Sequence, residues 1–331
     1  MAHHIEDLLT QWKQFPNDNW VLAVITNIQG SSYRKEGAMM LFHGLGKNIG
    51  LISGGCLEGD LLRHAQRSIQ QNQAINVTYD ASDETDASHQ LGCGGIVDLL
   101  LIPVTSDNNY LHLETLRQLI KSNCCEYRIP LVETGTPATT INTQVSTIHM
   151  KQSQSKHSFN NITKSTCKEI QIVFRPRFHL AIFGGGLDAQ PLAKLALQLG
   201  WRVSVFDQRS SYAHPINFVG ATINKNFISS LQSTHLDKVD AVVVMQHNLE
   251  LDASALKLIA SNNLAYVALL GPCHRRDQVF TRAQVDLSDF SGFFSAPAGF
   301  DIGGELPESI ALSILAESHA VLHGKLTKKD E

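Results

Sequence analysis

Basic clusters, long apolar runs and paired cysteines are what this 331-residue sequence has least of, and each shortage removes a class of function. Lysine and arginine total 27 against 31 aspartates and glutamates, and they adjoin only in short runs such as Lys328-Lys329. A nucleic-acid groove or an anionic membrane surface requires clustered cations, so neither is an expected partner. No stretch offers the run of about eighteen apolar residues that a membrane-spanning helix needs. Met1 to Glu6 carry two histidines and an acid rather than a basic segment leading into an apolar one, so export is not expected either. None of the six cysteines stands in a C-x-x-C pair, which leaves neither a zinc motif nor a disulfide framework. Free thiols in a reducing cytoplasm are the expectation. No internal repeat is visible.

What is present is enough apolar sequence, 43%, for more than one core in a chain long for a single one. Residues 1–133 read as a mixed α/β domain. Ile5, Leu8, Leu9, Trp12 and Phe15 recur at helical spacing before Pro16, and short apolar runs at 20–26, 38–42 and 47–53 read as neighbouring strands. A helix through Leu57, Leu61, Ala65 and Ile69 follows, then strands at 74–79 and 96–104, a helix through Leu113, Leu116 and Ile120, and a strand at 128–133. Between 134 and 175 Ser, Thr, Asn, Gln and Lys dominate, and this stretch reads as a polar linker or insertion. From 176 to 331 strands and helices alternate at the pitch of a Rossmann-like, doubly wound parallel sheet.

In that second half Gly184-Gly185-Gly186 follows an apolar strand and leads through Ala189 into a helix, the G-x-G-x-x-A context of a dinucleotide site. The glycines permit the turn and a close approach of backbone to a pyrophosphate, and the helix terminus favours its charge. Asp207 ends the next strand, where an acid can accept from ribose hydroxyls, while Arg209 can neutralise a 2′-phosphate, so NAD and NADP stay open. His247 is a candidate acid or base, and Gly271 opens a loop whose Arg275 and Arg276 either clamp an anion or form a solvated basic face. Together these residues would suit an NAD(P)-dependent oxidoreductase.

The first half concentrates small residues and thiols. Gly30, Ser31 and Arg34 lie in one run between strands, and Ser53-Gly54-Gly55-Cys56-Leu57-Glu58 lies in another, at the start of a helix. Backbone amides and the helix dipole there favour a thiolate or an anion, which makes Cys56 a candidate reactive thiol beside Glu58. Cys93, Gly94 and Gly95 repeat the theme of a cysteine bracketed by glycine, although free cysteine is also a common core residue.

These motifs, with Thr26, Gly37, Met39, His247 and the run Pro297-Ala298-Gly299-Phe300-Asp301-Ile302-Gly303-Gly304-Glu305, resemble the XdhC/CoxI proteins, the xanthine dehydrogenase accessory factors. Tyr33 stands where that family usually has proline. The resemblance implies a carrier for molybdenum cofactor of the molybdopterin type rather than a catalyst. Such a carrier would assist sulfuration, protection and insertion of the cofactor into a xanthine dehydrogenase-type molybdenum hydroxylase, with a cysteine desulfurase and a second copy of the chain as further partners. It would place Cys56 or Cys93 near molybdenum.

Overall fold

The computed structural model describes residues 4–80, 95–148, 163–165 and 168–326, which divide into two compact units meeting between Pro176 and Arg177. The first is built on a five-stranded antiparallel sheet ordered β3-β2-β1-β5-β4, from β1 (Trp20–Gln29), β2 (Met39–His43), β3 (Asn48–Gly50), β4 (Ile75–Asp80) and β5 (Ile96–Val104). Alternate residues of β1 enter different cores. Val21, Ala23 and Ile25 pack with Leu57, Leu61 and Ala65 around α2 (Glu58–Gln71), while Trp20, Leu22 and Val24 pack with α1 (Ile5–Trp12) and α3 (Leu113–Leu119). Burial on both faces explains why β1 reads as a continuous apolar run. Its register with β5 slips between Ile25 and Asn27, and Asp98 of β5 ties the irregularity down by accepting from Asn27 at 2.8 Å and from Thr78 at 2.6 Å.

The stretch read as a polar linker is folded wherever it is described. A four-stranded antiparallel sheet, ordered β7-β6-β9-β8, joins β6 (Cys124–Pro130), β7 (Gln144–Ile148), β8 (Thr163–Ser165) and β9 (Glu169–Phe174). The strand expected at 128–133 begins earlier for the same reason. Only every second residue is apolar: Cys125, Tyr127 and Ile129 on β6 and Ile170, Ile172 and Phe174 on β9 enter the core, and Glu126, Arg128 and Gln171 face away. That alternation suffices for a strand with one covered face, yet it leaves the average composition polar.

Ahead of α3 the backbone makes a left-handed turn, with φ between 50° and 54° at Asn109, Tyr110, Leu111 and His112. Each such residue costs about 1–2 kcal/mol relative to a right-handed conformation. Buried Leu111 and Leu113 hold the turn, together with hydrogen bonds from the Tyr110 amide to the Thr105 carbonyl at 2.7 Å and from the Tyr127 hydroxyl to the Leu111 carbonyl at 2.8 Å.

The second unit is a six-stranded, all-parallel sheet ordered β12-β11-β10-β13-β14-β15. Its strands are β10 (His179–Phe183), β11 (Arg202–Phe206), β12 (Thr222–Asn224), β13 (Ala241–Val244), β14 (Tyr266–Leu269) and β15 (Phe293–Ser295). Counted from β10, the order is 3-2-1-4-5-6, that of dinucleotide-binding sheets, with its switch point between β10 and β13. α4 (Ala189–Gln198) and α7 (Pro307–Leu322) cover one face, and α5 (Leu249–Ala260) and α6 (Cys273–Ala283) the other. The loop expected at 271–276 is mostly helix, because α6 starts at Cys273 with only Val279 and Ala283 fully buried, a stripe too narrow to show as periodicity. β12 and β15 are three residues each and carry no pattern of their own. Among the described residues no helix is long and apolar enough to cross a membrane.

Candidate functional site

Strand pairing collects the first unit's small-residue runs at one end of its sheet. Val24 pairs with Met39, Met40 with Gly50, Gln29 with Ile96, and Asp80 with Ile96. Connections 30–38 and 51–57 and the approach to Ile96 therefore leave from the same edge. Gly30 takes φ 83°, and Ser31 beside it is exposed. At Gly95 a Cβ would lie 2.2 Å from the Ser31 carbonyl oxygen and 2.8 Å from that of Gln29, so only glycine lets these two chain segments lie this close. Arg34, half-buried, makes no ion pair among the described residues. Cys93 and Gly94 lie outside the described residues.

The Ser53–Glu58 loop is held from within. Buried Ser53 donates its hydroxyl to Glu58 Oε2 at 2.5 Å and accepts the amides of Gly55 and Leu57, while the Ser53 amide donates to Glu58 Oε1 at 2.9 Å. Glu58, a candidate for chemistry by sequence, thus has both oxygens engaged in shaping the loop. Cys56 stands exposed on that frame. Around it, Gly54, Gly55 and Gly59 have no described atom within 4 Å of where a Cβ would sit, so the surface beside the thiol is bare backbone. Gly59 lies within α2, where glycine costs roughly 0.5–1 kcal/mol relative to alanine, and no described neighbour requires it.

In the second unit Gly184, Gly185, Gly186, Asp207, Arg209, His247, Gly271, Arg275 and Arg276 all follow the carboxyl ends of parallel strands, yet several are committed to the chain itself. Asp207 is 1% exposed and accepts from the Gly185 amide at 2.8 Å, the Arg209 amide at 3.0 Å and the Arg209 guanidinium at 2.9 and 2.7 Å. It does not offer its oxygens to a ribose. Burial pushes its pKa upward, but the Arg209 and Gly185 hydrogen bonds outweigh that and hold it below the ordinary carboxyl range. Arg209 in turn donates to the Gln246 carbonyl at 3.0 Å and stacks over Tyr212 at 3.7 Å, so it is no free hook for a 2′-phosphate. Ala213, at the end of this segment, donates its amide to the Gly185 carbonyl, and a Cβ on Gly185 would fall 2.4 Å from the Ala213 Cβ.

A second buried carboxylate works the same way. Asp252 accepts the Gln246 amide at 3.1 Å and pairs with Arg275, which also donates to the Leu270 carbonyl at 3.1 Å. Arg276 bonds Asp277 at 2.9 Å on the surface. The two arginines therefore form no joint clamp, since a buried carboxylate left without a cation would cost several kcal/mol. Gly271, at φ 125°, has the Arg275 side chain folded against it.

His247, itself at φ 53°, bonds Asp188 at 2.6 Å, and that bond raises the imidazole pKa above its usual value. Asp188 Oδ1 is 2.8 Å from where a Gly186 Cβ would be, so the glycine face that the fingerprint reserves for a phosphate carries the chain's own carboxylate. Two residues of these strand-end loops, Gln246 and Cys273, receive no role from the sequence alone. Gln246 is 1% exposed, both its side-chain amide atoms are without a partner among the described residues, and its only sequence signal is a polar residue ending an apolar strand. Cys273 is an exposed thiol on the first residue of α6. No group of three or more His, Cys, Asp or Glu among the described residues is arranged to hold a metal ion.

Comparison with known proteins extends these observations. Residues 16–80 match the XdhC and CoxI family, and residues 180–318 match the XdhC Rossmann domain. A probable xanthine dehydrogenase subunit from Bacillus subtilis is 32% identical over 90% of this chain and 91% of its own length. The molybdenum cofactor insertion chaperone PaoD of Escherichia coli is 24% identical over 91% of this chain and 83% of its own. Among solved structures, one described as a xanthine dehydrogenase from Bacillus halodurans superposes with a TM-score of 0.78 at 26% identity, covering 98% of this chain and 97% of that one.

Proposed function

Because the chain belongs to the XdhC and CoxI family, we propose that it is a maturation factor that binds molybdenum cofactor and delivers it to a xanthine dehydrogenase-type molybdenum hydroxylase. The observation that carries this reading is the gathering of Gly30, Ser31, Gly54, Gly55, Cys56 and Gly95 at one edge of the first sheet, with the thiol exposed on a preshaped loop. Bare backbone admits a bulky anionic cargo close to amide donors, a thiol is a soft ligand suited to a heavy metal centre, and Arg34 supplies a guanidinium for a phosphate. Cys93 and Gly94 extend the same motif in sequence. The finer parts of the proposal are a molybdopterin-type cargo, sulfuration with a cysteine desulfurase as donor, work in the cytoplasm, and pairing of two copies.

An NAD(P)-dependent oxidoreductase receives less support. Its ribose acceptor and its phosphate hook would be Asp207 and Arg209, which saturate each other, and its acid or base would be His247, which is bonded to Asp188. The deciding experiment is anaerobic titration of the purified protein with molybdenum cofactor. Binding is expected to weaken about tenfold or more, at least about 1.4 kcal/mol, in Cys56→Ala and in Cys93→Ala. Cofactor that fails to bind the unaltered protein at micromolar concentration, or that binds both variants equally well, would refute the carrier role.

A further inference from the structure

The first unit contains an open cavity of about 490 Å³ between the left-handed turn and the β6-β7 pair. His112, Arg128, Asn142, Thr143, Gln144 and Ser146 line it with Val145, so every lining side chain but one can donate a hydrogen bond and none is a carboxylate. The donors are mostly uncommitted. His112 uses Nδ1 on the hydroxyl of buried Thr143 at 3.1 Å, and its other ring nitrogen has no partner among the described residues. Arg128 engages Glu126 through Nε, which leaves its terminal nitrogens without a hydrogen bond among the described residues. The positive φ of His112, 54°, is part of what carries its ring to Thr143, so a conformation that side chains rarely adopt serves to place this imidazole.

We propose that this cavity binds a small organic phosphate, whose oxygens accept from Arg128, His112 and the neighbouring hydroxyl and amide groups. A phosphate offers several strong acceptor oxygens to donors arriving from different directions, and the Arg128 guanidinium, held at Nε by Glu126 and with Glu169 nearby, presents its terminal nitrogens to them. The volume exceeds what the phosphate alone needs and falls in the range of small-molecule sites, so the organic part has room. This site is independent of the cofactor-carrying edge and involves neither Cys56 nor molybdenum.

The test is calorimetric titration of the full-length protein with ribose 5-phosphate, with ribose and with inorganic phosphate. Ribose 5-phosphate is expected to bind with Kd below about 1 mM and ribose not to bind. Arg128→Gln and His112→Asn should each weaken ribose 5-phosphate about tenfold or more. Asparagine is chosen because it tolerates the left-handed backbone, and unchanged melting of both variants would show that the fold is intact. Absence of binding by ribose 5-phosphate at millimolar concentration, or equal affinity in Arg128→Gln, would overturn the proposal. Inorganic phosphate binding as tightly as ribose 5-phosphate would overturn the organic part of it.

Discussion

At the scale of residues, the second unit's ligand edge is governed by how a buried carboxylate finds its cation. Asp207 has lost its water, and the guanidinium two positions along the chain replaces it, together with the Gly185 amide. A carboxyl held below its usual pKa contributes stability that is fully present above the unfolded value of about 3.9 and is lost as pH falls through the folded value. Asp207→Asn leaves Arg209 without its counter-charge and is expected to destabilise the protein by about 3 kcal/mol at pH 7, the cost of breaking a largely buried pair. The difference between variant and parent should shrink as pH is lowered through about 4, where the parent's unfolded chain takes up a proton at Asp207 that its folded state still excludes. Urea unfolding at pH 7 and pH 3.5 measures both, and a gap that does not depend on pH would contradict the assignment. The acid and the arginine are both plain in the sequence. Their choice of each other over a ribose and a phosphate is not, because the outcome depends on burial and on a turn of the chain that brings Ala213 onto Gly185.

At the scale of elements, helix α7 does more than cover the sheet. Its buried Glu317 accepts the Tyr266 hydroxyl at 2.6 Å and the Gly299 amide at 3.1 Å, joining strand β14 to the glycine-rich connection after β15. Gly299, at φ 90°, lies against α7 so closely that a Cβ would fall 2.8 Å from the Ile314 amide nitrogen. Burial, then the nearby Glu317 charge, pushes the Tyr266 phenol well above its ordinary pKa, so it remains a donor at any working pH. Glu317→Ala removes the acceptor of the buried Tyr266 hydroxyl, leaves the Gly299 amide only the Ser295 hydroxyl at 3.2 Å, and should cost about 1–3 kcal/mol, whereas Glu317→Gln keeps an acceptor and should cost less. Amide exchange at Gly299 and Phe300, accelerated in the alanine variant and little changed in the glutamine one, separates this anchoring from a general loss of stability. What sequence shows of these elements follows burial. Strands covered on both faces, such as β1, β10 and β13, and the fingerprint between β10 and α4 are legible because apolar runs and glycines announce them. β7, β9 and α6 bury one side or a thin stripe, and their polar majority conceals them.

At the scale of the whole molecule, the described cores separate cleanly along the chain. Both clusters around the first two sheets draw only on residues up to Phe174, and both clusters around the parallel sheet draw only on residues from Phe178 onward. At the same division the alternating strands β6 and β9 give way to the continuously buried β10 and β11, because a parallel sheet with helices on both faces has no wet side. A chain of about 150 residues buries roughly 70% of its surface on folding, enough for independent stability. Residues 177–331 expressed alone should therefore unfold in one cooperative transition with near-native ellipticity, and Asp207→Asn should lower its midpoint as it does in the full chain. A fragment that melts gradually, or whose stability ignores Asp207, would show that the second unit depends on residues outside its own sheet. The Asp207–Arg209 pair would then report on the whole chain rather than on the fold that contains it.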